Sequence, residues 1–239
     1  MTIEAKQPIV ELSELRIKLD QMTERVVSLL KDRTRSPLNE AIYQKDGVEI
    51  KNRSGISLFE FALEGLENYH ASLGRYNYPG QFPIFDSLHP KSSVVRLINE
   101  PALREAKIDI KEDLFTFYKG FVKKLCKPGD NPNHYGSTAH IDAQLVELIH
   151  ERVNLGRYVS EAKVFKDPEL YGLTNNPELL LVKLKDRDRE ESLVNQARKI
   201  ALSYQLDENI TEELFRWMID KTLFIEIAYL QQVSRDNCN

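Results

Sequence analysis

The groups with chemical potential in this 239-residue chain are charged residues standing on otherwise apolar helical stripes. One stripe reads Ile141, Leu145, Leu148, Arg152, Leu155, Val159, Lys163, in steps that place all seven on one face of a helix. Arg152 and Lys163 are 11 residues apart, which is about three turns and an axial separation of about 16 Å, so both share a bearing. Two long cationic side chains so placed could grip the two ends of a small anion. A second stripe carries Asp186 and Glu190 ahead of Leu193, Ala197, Ile200 and Tyr204. A third carries Phe215, Met218, Thr222, Glu226 (beside Ile225), Tyr229 and Val233. Arg16 sits one turn from Leu12, at the edge of a stripe formed by Leu12, Leu15, Leu19, Met22, Val26 and Leu29. A buried charge costs several kcal/mol unless it is paired. Two readings follow: an internal ion network, or a polar pocket whose surplus of cations suits a small carboxylate-bearing ligand.

The elements that must position these groups are helices. Glycine and proline number only ten each, and long stretches contain neither. After the first stripe and the Ser36-Pro37 break, residues 37–56 are polar, with Asp46-Gly47 as a turn signal. Ser57-Leu58-Phe59-Glu60 has capping-box spacing and opens a helix running towards Arg75. Pro79-Gly80, Pro83 and Pro90 make 76–92 a loop, with short helices expected near 93–99 and 101–106. Further helices are expected over about 111–126, 138–165, 176–205 and 209–232, the last opened by Asn209 and Glu212 at capping-box spacing. No fixed repeat, linker or period-2 strand is visible. The expectation is an all-α fold: one domain over 1–239, a multi-helix bundle with no sheet and with its site inside a four-helix core.

Composition excludes much. Hydrophobic residues are 41% and charged residues 29%, as in ordinary globular chains. Lys+Arg at 33 against Asp+Glu at 37 gives −4, the wrong sign for a general nucleic-acid or anionic-membrane binder. No apolar run approaches the roughly 20 residues a membrane span needs, and residues 1–10 lack a signal-peptide core. Cys126 and Cys238 form no CxxC pair, which fits a reducing, cytoplasmic setting. His70, His89, His134, His140 and His150 include no HExxH, and no metal site is expected. Neither GxGxxG, GxxxxGK[ST] nor GxSxG occurs. The basic groups Lys123-Lys124 and 183–189 are short or mixed with acids and read as solvated faces. Arg157 falls off the inward stripe and is expected in solvent.

At these residues the sequence resembles the all-helical chorismate mutases of the long, fungal and plant type, over nearly the whole chain. The likeness rests on Leu15-Arg16-Ile17-Lys18-Leu19, on Tyr135-Gly136-Ser137-Thr138-Ala139, and on the run from Glu151 through Arg152, Gly156 and Arg157 to Lys163. Thr222 and Glu226 complete it. The resemblance implies a Claisen rearrangement of chorismate to prephenate, on the way to phenylalanine and tyrosine, which needs no cofactor. It implies catalytic roles for Lys163, Glu226, Arg152 and Arg16. Arg16 and Arg152 would clamp the two substrate carboxylates, while Lys163 and a protonated Glu226 would bond the ether oxygen. Glu190, assisted by Asp186, would take the ring hydroxyl, Thr222 would support a carboxylate, and Arg189 is a weaker candidate. Fungal members commonly carry an amide at the Asp186 position, whereas short bacterial members carry Asp.

Long members of the family bind tyrosine or tryptophan at a dimer interface through a Gly-Ser pair and two arginines. Gly136, Ser137 and Arg75 match that pattern. Gly74 stands where the second arginine belongs, and His140 replaces a small hydroxyl residue. The loop from Leu206 to Thr211 is also short. The expectation is a homodimer with weak or absent amino-acid control. An isochorismate pyruvate lyase on the same bundle and a non-catalytic helical interaction protein are the rival readings.

Overall fold

A computed structural model describes residues 11–77, 80–85, 92–94 and 103–236. Its elements are the helices α1 (Leu12–Arg33), α2 (Leu58–Ser72), α3 (Lys111–Leu125), α4 (Tyr135–Asn154), α5 (Gly156–Lys166), α6 (Pro177–Leu184), α7 (Arg187–Ser203) and α8 (Glu208–Asp236). Among the described residues there is no strand, only an isolated bridge between Ile50 and Arg53. None of their helices is long and apolar enough to cross a membrane. α1 packs on α4 and α7, α8 packs on α4, α5 and α7, and α2 packs on α4. Residues 1–10 and Cys238 lie outside the described residues, as do Pro79 and Pro90.

The periodicity located the elements, and the structure divides two of them. The helix expected over 138–165 is α4 and α5, interrupted at Leu155. The helix expected over 176–205 is α6 and α7, interrupted at Lys185 and Asp186. Asp186 therefore caps α7, accepting the backbone N–H of Arg189 at 3.2 Å, instead of lying within a helical face. The capping box at Ser57 and Glu60 is present in both directions. Its helix stops at Ser72, short of Arg75, where Gly74 takes a left-handed φ of 72°. The final helix is capped two residues earlier than expected: the Asp207 side chain accepts the N–H of Asn209 at 2.8 Å. Glu212 instead bonds Arg216 at 2.7 Å. Of the short helices expected at 93–99 and 101–106, residues 95–102 lie outside the described residues, while 93–94 and 103–106 are not helical.

The frame is locked by a buried ion pair between α1 and α4. Arg33 Nε donates to Asp142 Oδ1 at 2.7 Å, and both side chains are wholly enclosed. The other guanidinium donors go to the carbonyls of Ser36 (3.3 Å), Pro37 (3.0 Å) and Leu38 (2.8 Å) and to the Tyr43 hydroxyl (3.2 Å). All five donors are thus satisfied. Tyr43 and Tyr118 donate to the Asp142 carboxylate at 2.5 and 2.6 Å, bringing in α3. Burial pushes both phenols far above their ordinary range, so they stay protonated donors.

Removing one member of such a pair strands the other charge. Asp142→Ala should cost about 3–5 kcal/mol. Lys124→Ala, which deletes an exposed bridge to Glu213, should stay within about 0.5 kcal/mol. Urea unfolding of both variants checks this; equal midpoints would remove the Arg33–Asp142 pair from the frame.

Candidate functional site

A cavity of about 680 Å³, counting its open mouth, lies between α1, the α4–α5 segment, α7 and α8. Its apolar wall is Leu12, Leu19, Val159, Leu184, Leu193, Ile219 and Leu223. Into it project Arg16, Arg152, Lys163, Asp186, Arg189, Glu190, Thr222 and Glu226, all eight of the substrate-site residues expected from the sequence.

Arg152, near the end of α4, is 2% exposed. Its Nε and Nη2 have no hydrogen-bond partner among the described residues. The guanidinium stands 5.6 Å from the centre of the Phe215 ring. Burial lowers its pKa to about 10, with Asp20 opposing and Arg189 adding to that shift. It therefore remains charged at neutral pH. A buried, charged, unpaired fork is costly in an empty protein and becomes favourable once a carboxylate pairs with it.

Lys163, on α5, donates to Glu226 Oε2 at 2.8 Å and to the Leu184 carbonyl at 2.6 Å. The latter is a free carbonyl at the end of α6, the type of group that a helix terminus leaves without an intrahelical donor. One of the three ammonium donors is left for a ligand. Glu226, on α8, is 2% exposed. Burial raises its pKa to about 7; Lys163 pulls it down and Glu190 pushes it up.

The mouth is more open. Arg16 Nη2 donates to Asp186 Oδ2 at 2.9 Å, with both side chains nearly half exposed. Arg189 pairs with Asp20 of α1. Glu190 lies 3.9 Å from Lys185 Nζ. The Thr222 hydroxyl donates back to the Met218 carbonyl at 2.8 Å, within its own helix. In all, the cavity holds four cations and three carboxyls, and with Glu226 neutral its balance favours a dianion.

The effector residues expected from the sequence are not in this cavity. Gly136, Ser137 and His140 are exposed in the first turns of α4. Arg75 lies beyond α2 and pairs with Glu147 at 2.9 Å and Glu151 at 2.6 Å, up to about three to four turns further along α4. Arg157 is a correction: it is buried, not solvated. Its Nη1 donates to the Ala106 carbonyl at 2.6 Å, and its guanidinium lies 4.0 Å from the centre of the Phe82 ring. The non-helical segments that carry Ala106 and Phe82 cover the outward side of α5, and helical spacing is blind to them. Sequence reasoning also missed Asp20, Lys185 and the Leu184 carbonyl. Asp20 carried a signal: it follows Arg16 by one turn.

Residues 134–227 match the family model described as chorismate mutase type II. The chain is 23% identical to the chorismate mutase of Emericella nidulans, over 93% of this chain and 92% of that one. It is 26% identical to that of Schizosaccharomyces pombe, over 82% and 80%. Its fold is similar to the crystal structure of a Candida albicans chorismate mutase in complex with L-Trp, with a TM-score of 0.86, 25% identity, and 97% and 95% of the two chains covered. An Arabidopsis structure with tyrosine in an allosteric site shares the fold at a TM-score of 0.83 and 23% identity, over 95% and 97%. With the cation-lined cavity standing on the same helices that carry these matches, the chain is similar over most of its length to the chorismate mutases, in their all-helical form.

Proposed function

We propose that this cavity binds chorismate and turns it into prephenate, with the residues above in defined roles. The observation that carries this reading is the buried guanidinium of Arg152, whose Nε and Nη2 have no hydrogen-bond partner among the described residues. Chorismate is a dianion that must fold its enolpyruvyl arm over its ring. Arg152 and Arg16 take the two carboxylates from opposite helices, and holding the folded conformer supplies orientational entropy in advance. Thr222 turns its hydroxyl from the Met218 carbonyl to a substrate carboxylate, and Arg189 adds positive field at the mouth. Glu190 accepts from the ring hydroxyl, with Asp186 beside it.

As the C–O bond breaks, negative charge grows on the ether oxygen. Lys163 has a free donor for it, and a protonated Glu226 supplies a second from α8. Both are fixed before the reaction starts, Lys163 by Leu184 and Glu226 by Lys163 itself. This is stabilisation of developing charge by pre-oriented donors. Electrons move in a closed six-membered array within the substrate, so no nucleophile is required of the chain.

The homodimer and the cytoplasmic setting belong to the same reading. Exposed Phe61, Tyr69 and Leu73 on and just past α2 support a second copy docking there. Amino-acid control is weak or absent: Arg75 is committed to Glu147 and Glu151. Position 74 has a left-handed backbone on which arginine would be strained, and a Cβ there would stand 2.7 Å from Ser92 Oγ. Titration with tyrosine and with tryptophan should change the rate by less than the roughly 5-fold of an ordinary allosteric coupling. Strong effects of both at low concentration would overturn this.

A chorismate-depletion assay with product identification tests the function. Prephenate keeps the pyruvyl carbons, whereas a lyase acting on isochorismate releases pyruvate. Activity should fall as pH rises through about 7, because Glu226 loses its donor proton there. Glu226→Gln, a permanent donor, should flatten that limb; an unchanged profile would remove Glu226 from the role. Arg152→Met should separate function from stability. It replaces an uncompensated buried charge with an apolar chain and should stabilise the fold by about 1–4 kcal/mol. The same change should cost turnover on the order of 100-fold or more. A destabilised Arg152→Met would make the guanidinium a structural group instead of a ligand clamp.

A further inference from the structure

A close contact between α5 and α8 lies at a residue with no side chain. Gly156 is the buried first residue of α5. Its φ is not in the left-handed region, so the backbone conformation does not call for glycine. Space does. A Cβ at Gly156 would stand 2.9 Å from the backbone oxygen of Thr222, 3.2 Å from Thr222 Cγ2 and 3.5 Å from Glu226 Cγ. The helical glycines Gly65, Gly120 and Gly136 have nothing within 4 Å of the same position. A backbone carbonyl cannot be trimmed by changing a rotamer, so any larger residue at 156 must push α8 away.

We propose that Gly156 is a positioning residue for the reaction, setting the approach of α5 to α8 so that Lys163 and Glu226 converge on the ether oxygen. This rests on the chorismate mutase reading and deepens it. Lys163 lies about two turns beyond Gly156 on α5, and Glu226 one turn beyond Thr222 on α8. The two side chains meet at 2.8 Å. The same two helices thus touch backbone to backbone at Gly156 and side chain to side chain at the reacting centre, so spacing lost at the first is felt at the second.

A second consequence is electrical. Glu226 is faced by Lys163 from α5 and Glu190 from α7, with Arg152 of α4 and Arg16 of α1 on the other cavity walls. Lys163 is the group that holds its proton affinity down. Moving α8 outwards weakens that attraction while leaving the desolvation, and the carboxyl then keeps its proton to higher pH.

Gly156→Ala in the full chain is the test. Expected is a fall in kcat on the order of 10-fold, a smaller change in KM, and an alkaline limb displaced upwards in pH. Gly120→Ala, an exposed helical change with open space around it, should leave both the rate and the limb where they are. If Gly156→Ala does not fold, it is combined with Thr222→Ser, which removes the methyl that the new Cβ would strike. That double variant should show the raised limb relative to Thr222→Ser alone. Wild-type kcat with an unmoved limb in Gly156→Ala, or an unmoved limb in the double variant, overturns the inference while leaving the mutase reading intact. A native chain that makes no prephenate overturns the mutase reading itself.

Discussion

A buried guanidinium with two nitrogens that find no hydrogen-bond partner among the described residues is the constraint around which this protein is arranged. Arg152 lies within the bundle with two nitrogen donors unmet, and its desolvation is opposed chiefly by Asp20 from a neighbouring helix. Placed alone in an apolar core, such a charge would be expelled or neutralised. Here the helices around it are fixed by other means, and on the proposed reading a dianion restores the lost pairing. The same logic applies more weakly at Lys163, where the partners are present but one donor is spare.

Arg33 is the contrasting case within the same fold. It is as deeply buried as Arg152, yet every donor is met, by Asp142, by Tyr43 and by three carbonyls in the turn after α1. Asp142 lies on α4, ten residues before Arg152. The satisfied arginine fixes α1 against α4, and the unsatisfied one uses that rigidity to keep its aim across the cavity from Arg16. One buried cation stabilises the frame, while the other, on the proposed reading, draws on the frame's stability to remain ready for substrate.

Much of this was legible in the sequence, for a definite reason. A polar residue interrupts an apolar period, so Arg152, Lys163, Glu190, Thr222 and Glu226 announce themselves by position, and all five line the cavity. Arg33 was legible by the same rule, continuing the α1 stripe beyond Val26 and Leu29, but the family resemblance did not draw attention to it. What periodicity cannot register is a break that leaves the apolar pattern in phase. The stripe runs unbroken through Leu155, although the helix does not, and through 185–186 the polar residues continue as if helical. Nor can it register cover supplied by irregular chain, which is why Arg157 reads as solvated and is enclosed beneath Phe82 and Ala106.

Those breaks are where the site acquires its directional polar groups. A helix interior offers side chains only, since its backbone donors and acceptors are consumed by its own ladder; a helix end leaves some of them free. The end of α6 gives the Leu184 carbonyl that steadies Lys163. The start of α7 is capped by Asp186, whose second oxygen steadies Arg16. The break between α4 and α5 places a glycine at the point where α5 meets the Thr222 carbonyl of α8. Two continuous helices in place of these four would preserve the stripe of charges and lose all three supports. A reaction that asks only for fixed charges in fixed places depends on such supports more than on any single reactive group, and on the proposed reading the interruptions are part of the catalytic design of the fold.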